Sequence, residues 1–451
     1  MLFARLLQMR VPVRAPTLES LFARAANDRE ATFVRLLTAE YSDARYFSYE
    51  DLKRRPLPGF ARNVDEGWLK ILILRQGKFR ALPFADSQGS PFLYFVDDSD
   101  WAILHDLDCQ AGGIVGIDAP LPDSQESRRY LVASLMEESI ASSLLEGAPT
   151  TREKAKEMLR RGRLPNGEGE RMVLNNYNTM LKLKDWKDED LSVDLIFRIH
   201  AAISDKTVKP GSEGRFRYRD EDVTVGDDFG NDFHIPPSAD LLPERIQKLC
   251  DFANEAHEGA AFLHPIVKAI ILHFWLAYEH PFYDGNGRVA RALFYWYLIK
   301  KGYWICEYLS ISTAIRKTGL RYYRAFLDTE YNGNDLNYFI KFHIEILQRA
   351  VAEFLAYVEK KQREQKALKI TYKGLDVLNS RQKGLLEFWL RHPQMIRKTD
   401  VSSYQNEYRV SRETARQDLE DLVKKQLALR KREGHAFIFV AIEDLEDFLK
   451  K

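Results

Sequence analysis

Cysteine is nearly absent: Cys109, Cys250 and Cys306 are the only three in 451 residues. Their number is odd and their spacing fits neither a metal knuckle nor a disulfide framework. That excludes a small cysteine-stapled secreted module and points to a reducing, cytoplasmic setting. An excess of either charge is also lacking. Lys plus Arg number 67 against 66 for Asp plus Glu, so bulk electrostatics selects no partner. Long apolar runs are missing too. The longest is interrupted by Lys268 and His273, so no segment is expected to cross a membrane. The stretch Met1 to Pro16 holds Arg5, Arg10 and Arg14 without an acid. It has no continuous apolar core or small-residue cleavage site, and reads as domain sequence and not as a leader.

What is present is concentrated at residues 280–291, His-Pro-Phe-Tyr-Asp-Gly-Asn-Gly-Arg-Val-Ala-Arg. The run before it, Pro265 to Tyr278, has apolar residues at helical spacing and is stopped by Pro281; the run after it, Ala290 to Ile299, is again helical. The spacing predicts helix, tight loop, helix, with glycines that let backbone approach a ligand where the second helix begins. A helix N-terminus is an anion site. Arg288 and Arg291, three apart, share a face and can grip one polyphosphate. Histidine titrates near neutrality, so His280 can take a proton from an attacking hydroxyl. Asp284 is a hard oxygen ligand suited to Mg²⁺. Asn286, with the amides around Gly285 and Gly287, can hold an α-phosphate and stabilise developing charge.

This string resembles the Fic family motif, His-Pro-Phe-x-Asp-Gly-Asn-Gly-Arg-x-x-Arg, at every specified position. The resemblance implies a protein adenylyltransferase, which moves AMP from ATP onto a Ser, Thr or Tyr hydroxyl of a target protein. It makes His280 the base and Asp284 the metal ligand. Gly285, Asn286 and Gly287 become the phosphate cradle, and Arg288 with Arg291 the grip on the β- and γ-phosphates. Residues 142–147, Ser-Ser-Leu-Leu-Glu-Gly, fit the family's inhibitory pattern through Ser142, Glu146 and Gly147. They end an expected amphipathic helix from about 128 to 147, with Gly147 as its C-cap. In relatives with such a helix the glutamate pairs with the second arginine, here Arg291, and the γ-phosphate is displaced, because one guanidinium cannot serve both in bidentate geometry. Gly214 to Arg217, followed by Asp222 to Gly226, resembles the family's flap, with Val225 and Gly226 over the nucleotide and His234 to Pro237 closing the hairpin. The stretch Asp227 to Phe233 makes this turn longer and more acidic than in simple members, which bears on target choice. Tyr322 and Asn332 are the adenosine contacts implied by position in the family pattern.

The expected architecture is mainly α: a Fic-type helical core with a β-hairpin flap, a small α/β N-terminal region and a C-terminal winged-helix domain. Residues 1–120 mix turns with strand-like runs at Leu69–Leu74 and Phe92–Val96. Residues 121–362 read as the core, with 355–370 running into a linker, and 375–451 as the winged helix. In that last part helices are expected over Arg381–Leu390, Lys398–Glu407 and Arg412–Gln426, with Ser411 as N-cap. Two strand-like pieces between Leu427 and Val440 flank the basic run Arg430 to Arg432. Arg412, Arg416, Lys424 and that hairpin could meet DNA phosphates, although Glu413, Asp418, Glu420 and Asp421 share the helix. The expected partners are ATP with Mg²⁺ and a hydroxyl-bearing target protein, with DNA and a second copy of the chain as further candidates and no membrane. The competing reading is a nucleotide-sensing DNA-binding regulator. A Fic enzyme that transfers another nucleotide, or removes AMP, is the third, since a phosphate grip is blind to the base.

Overall fold

The computed structural model describes residues 10–24, 29–43, 45–111, 124–221, 223–226, 232–371, 378–391, 397–433 and 436–450. In chain order the elements are α1 (Leu18–Arg24), α2 (Arg29–Thr38), α3 (Tyr49–Lys53), α4 (Val64–Gln76), β1 (Arg80–Ala85), β2 (Pro91–Tyr94), α5 (Asp98–Ala111), α6 (Ser124–Leu145), α7 (Arg152–Arg161), α8 (Glu168–Lys182) and α9 (Val193–Ser204). There follow β3 (Val225–Gly226), β4 (Asp232–His234), α10 (Leu242–Asn254), α11 (Pro265–Glu279), α12 (Asn286–Lys300), α13 (Ile311–Lys317), α14 (Arg321–Tyr331) and α15 (Asn337–Thr371). The chain closes with α16 (Ser380–Arg391), β5 (Lys398–Asp400), α17 (Val401–Tyr408), α18 (Arg412–Lys424), β6 (Ala428–Glu433), β7 (Ala436–Ala441) and α19 (Leu445–Lys450). The mainly helical expectation holds. Among the described residues no helix is long and apolar enough to cross a membrane.

Two compact units form. One gathers residues 1–106, 186–301 and 315–347; the other gathers 107–185, 302–314 and 348–451. Linear boundaries at 120, 362 and 375 therefore cut across both.

In the first unit, α11 begins on Pro265, whose missing N–H is harmless at a helix start, with His264 Nδ1 accepting from the Ile266 amide at 3.2 Å. Almost every side chain of α11 is buried, and α12 packs along it. The run Leu69–Leu74 is helical, not extended as its apolar character suggested: Asn63 caps α4 by accepting from the Glu66 amide at 2.8 Å, and Trp68, Leu69 and Ile71 turn inward. The hairpin β1–β2 is antiparallel, and Leu93 bonds the backbone of Asn334 and Leu336 at 2.9 and 2.8 Å.

In the second unit, α6 ends in a Schellman turn. Gly147 is left-handed at φ 79°, its amide donating to Leu144 O at 3.3 Å and the Ala148 amide to Ser143 O at 3.0 Å. Residues 378–449 build their own core around Leu386, Trp389, Tyr404, Leu419, Leu422 and Phe439. Their sheet runs β5-β7-β6, antiparallel throughout. Ser411 caps α18, its hydroxyl accepting from the Thr414 amide at 3.0 Å. Lys398–Glu407, expected as one helix, begins as strand β5, because Asp400 caps α17 by accepting from the Ser403 amide at 2.8 Å and starts the helix only there. Gly434 and His435 lie outside the described residues.

Candidate active site

The loop between α11 and α12 is built by closing hydrogen bonds on itself and on two neighbouring segments. His280 ends α11 in the left-handed region (φ 46°, ψ 56°), its amide still bonded to Leu276 O at 3.2 Å. Its Nδ1 stands 3.0 Å from the Ala277 carbonyl. A carbonyl only accepts, so Nδ1 carries the proton and Nε2 is the basic nitrogen of the neutral ring. One residue earlier, Glu279 is fully buried, receiving Arg245 at 2.6 and 2.8 Å and the Trp275 indole at 3.1 Å. Burial pushes its carboxyl above the usual range even against the pull of Arg245.

Asn286 turns its side chain back onto the loop. Its side chain accepts from the Phe282 amide at 2.9 Å and donates to the Phe282 carbonyl at 2.8 Å. It braces the loop through both of its side-chain polar atoms. Gly285 precedes α12 at φ 87° with no side-chain cap on the helix, and the first helical bond is from Val289 N to Gly285 O at 3.0 Å. The amides of Asn286, Gly287 and Arg288 thus precede the first helical donor, at the positive end of the helix. Asp284 is half exposed; its Oδ1 accepts from the Gly285 amide at 2.6 Å and its Oδ2 faces Arg288 Nη2 at 3.2 Å. Arg288 and Arg291 are both buried.

Two further residues frame this loop: His200, which had no role in the sequence reading, and Arg217, which the reading placed only in the flap. His200, on α9, lies flat on Phe282 with ring centroids 3.8 Å apart and planes 3° from parallel. Its Nδ1 accepts from the Gly214 amide at 2.9 Å, so Nε2–H donates to the Asp284 carbonyl at 3.0 Å. Burial, opposed by that carbonyl and aided by Arg288, lowers its pKa to about 4. The ring is therefore a neutral tie between loop and flap. Arg217 is the second. Its Nε donates to the His280 carbonyl and its own amide to the Pro281 carbonyl, both at 2.9 Å, while its guanidinium also reaches Pro237 O. A lone histidine in an apolar helix carries no signal in one sequence; Arg217 sat inside the Gly-Arg-Phe-Arg run and could have been found there.

The flap forms as expected: β3 (Val225–Gly226) pairs antiparallel with β4. Asp222 and Asp227–Asn231 lie outside the described residues. His234 at the end of β4 sets Nε2 2.7 Å from the Tyr278 carbonyl and Nδ1 2.9 Å from Glu330. Both neighbours are acceptors, and although burial disfavours charge, Glu330 holds the imidazole pKa above its ordinary value.

Tyr322 and Asn332 do not join this group. Tyr322 is buried, its hydroxyl 3.0 Å from His273 Nε2 amid Phe326, Phe339 and His343. Asn332 accepts from the Tyr49 amide at 2.9 Å and donates to Asp328 O at 2.6 Å. Its neighbours Asn334 and Asp335 bond Asp86 at 2.9 Å and Arg75 at 3.2 Å. This Asn-Gly-Asn-Asp segment is the seam that holds the N-terminal hairpin, so its polar groups are already occupied. A cleft of about 500 Å³ lined by Lys78, Arg80, Tyr94, Trp101 and His264 sits at the start of α11. That is the opposite end of a helix roughly 22 Å long from His280.

Ser142, Glu146 and Gly147 belong to the second unit. Ser142 is buried, Glu146 half-buried and Gly147 exposed in the turn that ends α6.

Residues 190–298 match the model of the Fic/DOC family. The protein adenylyltransferase Fic of Nematostella vectensis is 31% identical over 172 residues, 38% of this chain and 35% of that protein. The protein adenylyltransferase Fic of Drosophila melanogaster is 33% identical over 114 residues, 25% of this chain and 21% of that protein. The chain thus spans about a third or less of the length of these relatives. A Fic family protein from Desulfovibrio desulfuricans G20 superposes with a TM-score of 0.45 at 21% identity, over 75% of this chain and 96% of that one.

Proposed function

We propose that this chain, whose residues 190–298 match the Fic/DOC family model, is a protein adenylyltransferase acting on a Ser, Thr or Tyr hydroxyl of a target protein. The observation that carries this reading is the His280 tautomer, set by Ala277 O beside an uncapped helix start. The target hydroxyl oxygen attacks the α-phosphorus of ATP, and the new P–O bond forms as the bond to the β-phosphate bridging oxygen breaks. The hydroxyl proton passes to His280 Nε2, and pyrophosphate leaves with the electron pair. The amides of Asn286, Gly287 and Arg288 face the developing charge, with Arg288 and Arg291 answering the leaving group. Val225 and Gly226 of the flap align the target backbone over the nucleotide. The half-exposed Asp284 carboxylate fits Mg²⁺, which takes few protein ligands and shares its shell with substrate phosphates. When bound, that ion would screen phosphate charge.

Glu146 is the restraint in this reading: it claims the Arg291 guanidinium that the γ-phosphate needs. Residues 378–449, in the order helix, strand, two helices and hairpin, support reading the C-terminal part as a winged helix. Two labels test the proposal. The Glu146→Gly protein with α-phosphate-labelled ATP should gain label severalfold over the parent, and none from γ-phosphate-labelled ATP. Label from the γ-position would make it a kinase, and loss of label from a pre-adenylylated target without any gain would favour AMP removal.

A further inference from the structure

The C-terminal part and helix α6 belong to one unit, and the contacts between them are specific. Val132, Met136 and Ile140 of α6 share a core with Ala155, Met158 and Leu159 of α7 and Val173 of α8, and Tyr177 of α8 packs on it. Glu137 of α6 also receives Arg152 and Lys156 of α7 at 2.5 and 2.7 Å. Residues around α17 grip this three-helix cluster from outside. The Arg409 guanidinium donates to the Tyr177 hydroxyl at 2.6 Å, and Glu407 faces Arg160 at 3.5 Å. Asn406 fits so closely over Gly162 that a Cβ there would lie 2.4 Å from its Nδ2. Helices α16 and α17 pack on α6 directly.

Arg409 sits in the turn between α17 and α18, in the left-handed region at φ 48°. Three residues on, α18 starts an exposed basic surface with Arg412, Arg416 and Lys424, and on β6 Arg430 and Arg432 lie on one side of the strand with Lys431 on the other. Four carboxylates dilute it: Glu413 on Arg416, Glu420 on Arg430, Asp421 on Lys425 and Glu433 on Lys398. Arg412, Lys431 and Arg432 make no ion pair among the described residues. A helix with an exposed outer face and an adjoining basic hairpin suits a duplex major groove, which admits one helix while the hairpin meets backbone phosphates.

Taking Glu146 as the restraint, we propose that the C-terminal part senses duplex DNA and sets how firmly α6 is held. DNA lying across α18 and the β6–β7 hairpin brings a phosphate to the turn at Arg409, where it competes with Tyr177 for the guanidinium. Release of Tyr177 loosens the α6–α7–α8 cluster and with it the hold of Glu146.

The test uses the full chain and a mixed-sequence duplex of about 20 base pairs, two helical turns. Fluorescence anisotropy should show salt-dependent binding that Lys431→Glu with Arg432→Glu abolishes, leaving basal transfer unchanged. Hydrogen exchange of residues 130–145 should quicken severalfold when the duplex is added, a readout independent of any transfer. Label from α-phosphate-labelled ATP should rise severalfold with the duplex, and without it in Tyr177→Phe and Arg409→Ala, but rise no further in Glu146→Gly. No binding at physiological salt, or binding that leaves exchange in 130–145 unaltered, overturns the proposal. Quickened exchange with an inactive Glu146→Gly protein would sink the transferase reading and leave the DNA coupling standing.

Discussion

Helix α11 ends at His280 and helix α6 ends at Gly147, both in the left-handed region, and the residues used there differ in kind. Glycine has no Cβ to clash, so Gly147 makes a relaxed Schellman turn. Histidine at φ 46° is held at a cost of about 1 kcal/mol, a conformation that lasts only where surroundings impose it. Arg217 on its carbonyl, the buried Glu279 before it and the Pro281 carbonyl tied to Arg217 do so. The contrast separates a helix end that glycine closes freely from one that its surroundings must hold.

The largest effect expected from that contrast is at His280. His280→Gly should lower transfer by about 10²-fold or more, the contribution typical of a positioned base. Stability should change by less than about 1 kcal/mol, since relief of the left-handed strain offsets the lost bond to Ala277 O. Strong unfolding of this variant, seen by thermal melting, would make the residue structural.

His200 comes next. His200→Gln should lower transfer by roughly 10-fold to 100-fold by letting the loop shift, since a misplacement of about 1 Å has that effect. Its pH signature has a defined sign. The folded pKa of about 4 lies below the unfolded value of about 6.5, so this stability is present above pH 6.5 and lost as pH falls toward 4. Denaturant titrations should find the acid side of the stability profile flatter in the variant, less the share from His273 and His343, whose pKa values are also lowered by burial. His234, raised by Glu330, runs the other way: its share is present below pH 6.5 and lost as pH rises through the folded value. An unchanged acid limb in His200→Gln contradicts the neutral-tie role.

At the relaxed end, Gly147→Ala should destabilise by about 1 kcal/mol through its positive φ, measured by melting. Equal stability would mean the turn adjusts and the two ends are less different than drawn. Smallest is Tyr322→Phe, which loses the hydrogen bond to His273, about 1 kcal/mol of stability, with the KM for ATP unmoved. A raised KM would return Tyr322 to the nucleotide site.

The loop at residues 280–291 was legible because its signals are local: Pro281 stops a helix, Gly285 opens another, and the charged residues fall between. The Ser411 and Gly147 caps were legible for the same reason. Leu69–Leu74 was misread because a short run with five apolar residues and only Lys70 between them carries no clear period, whereas the informative signal was Asn63 with Asp65 and Glu66 at the helix start. His200 was invisible because its partners Gly214 and Asp284 lie 14 and 84 residues away. The surroundings of Tyr322 and Asn332 were hidden for a related reason: position in a pattern does not reveal that His273 and Tyr49 bond their polar atoms.

A crystal of the Glu146→Gly protein with Mg-ATP tests the central claim most directly. The triphosphate should lie on the amides of Asn286, Gly287 and Arg288, with the ion on Asp284 and the α-phosphorus facing His280 Nε2. Nucleotide bound elsewhere, with that helix start bare, would contradict it.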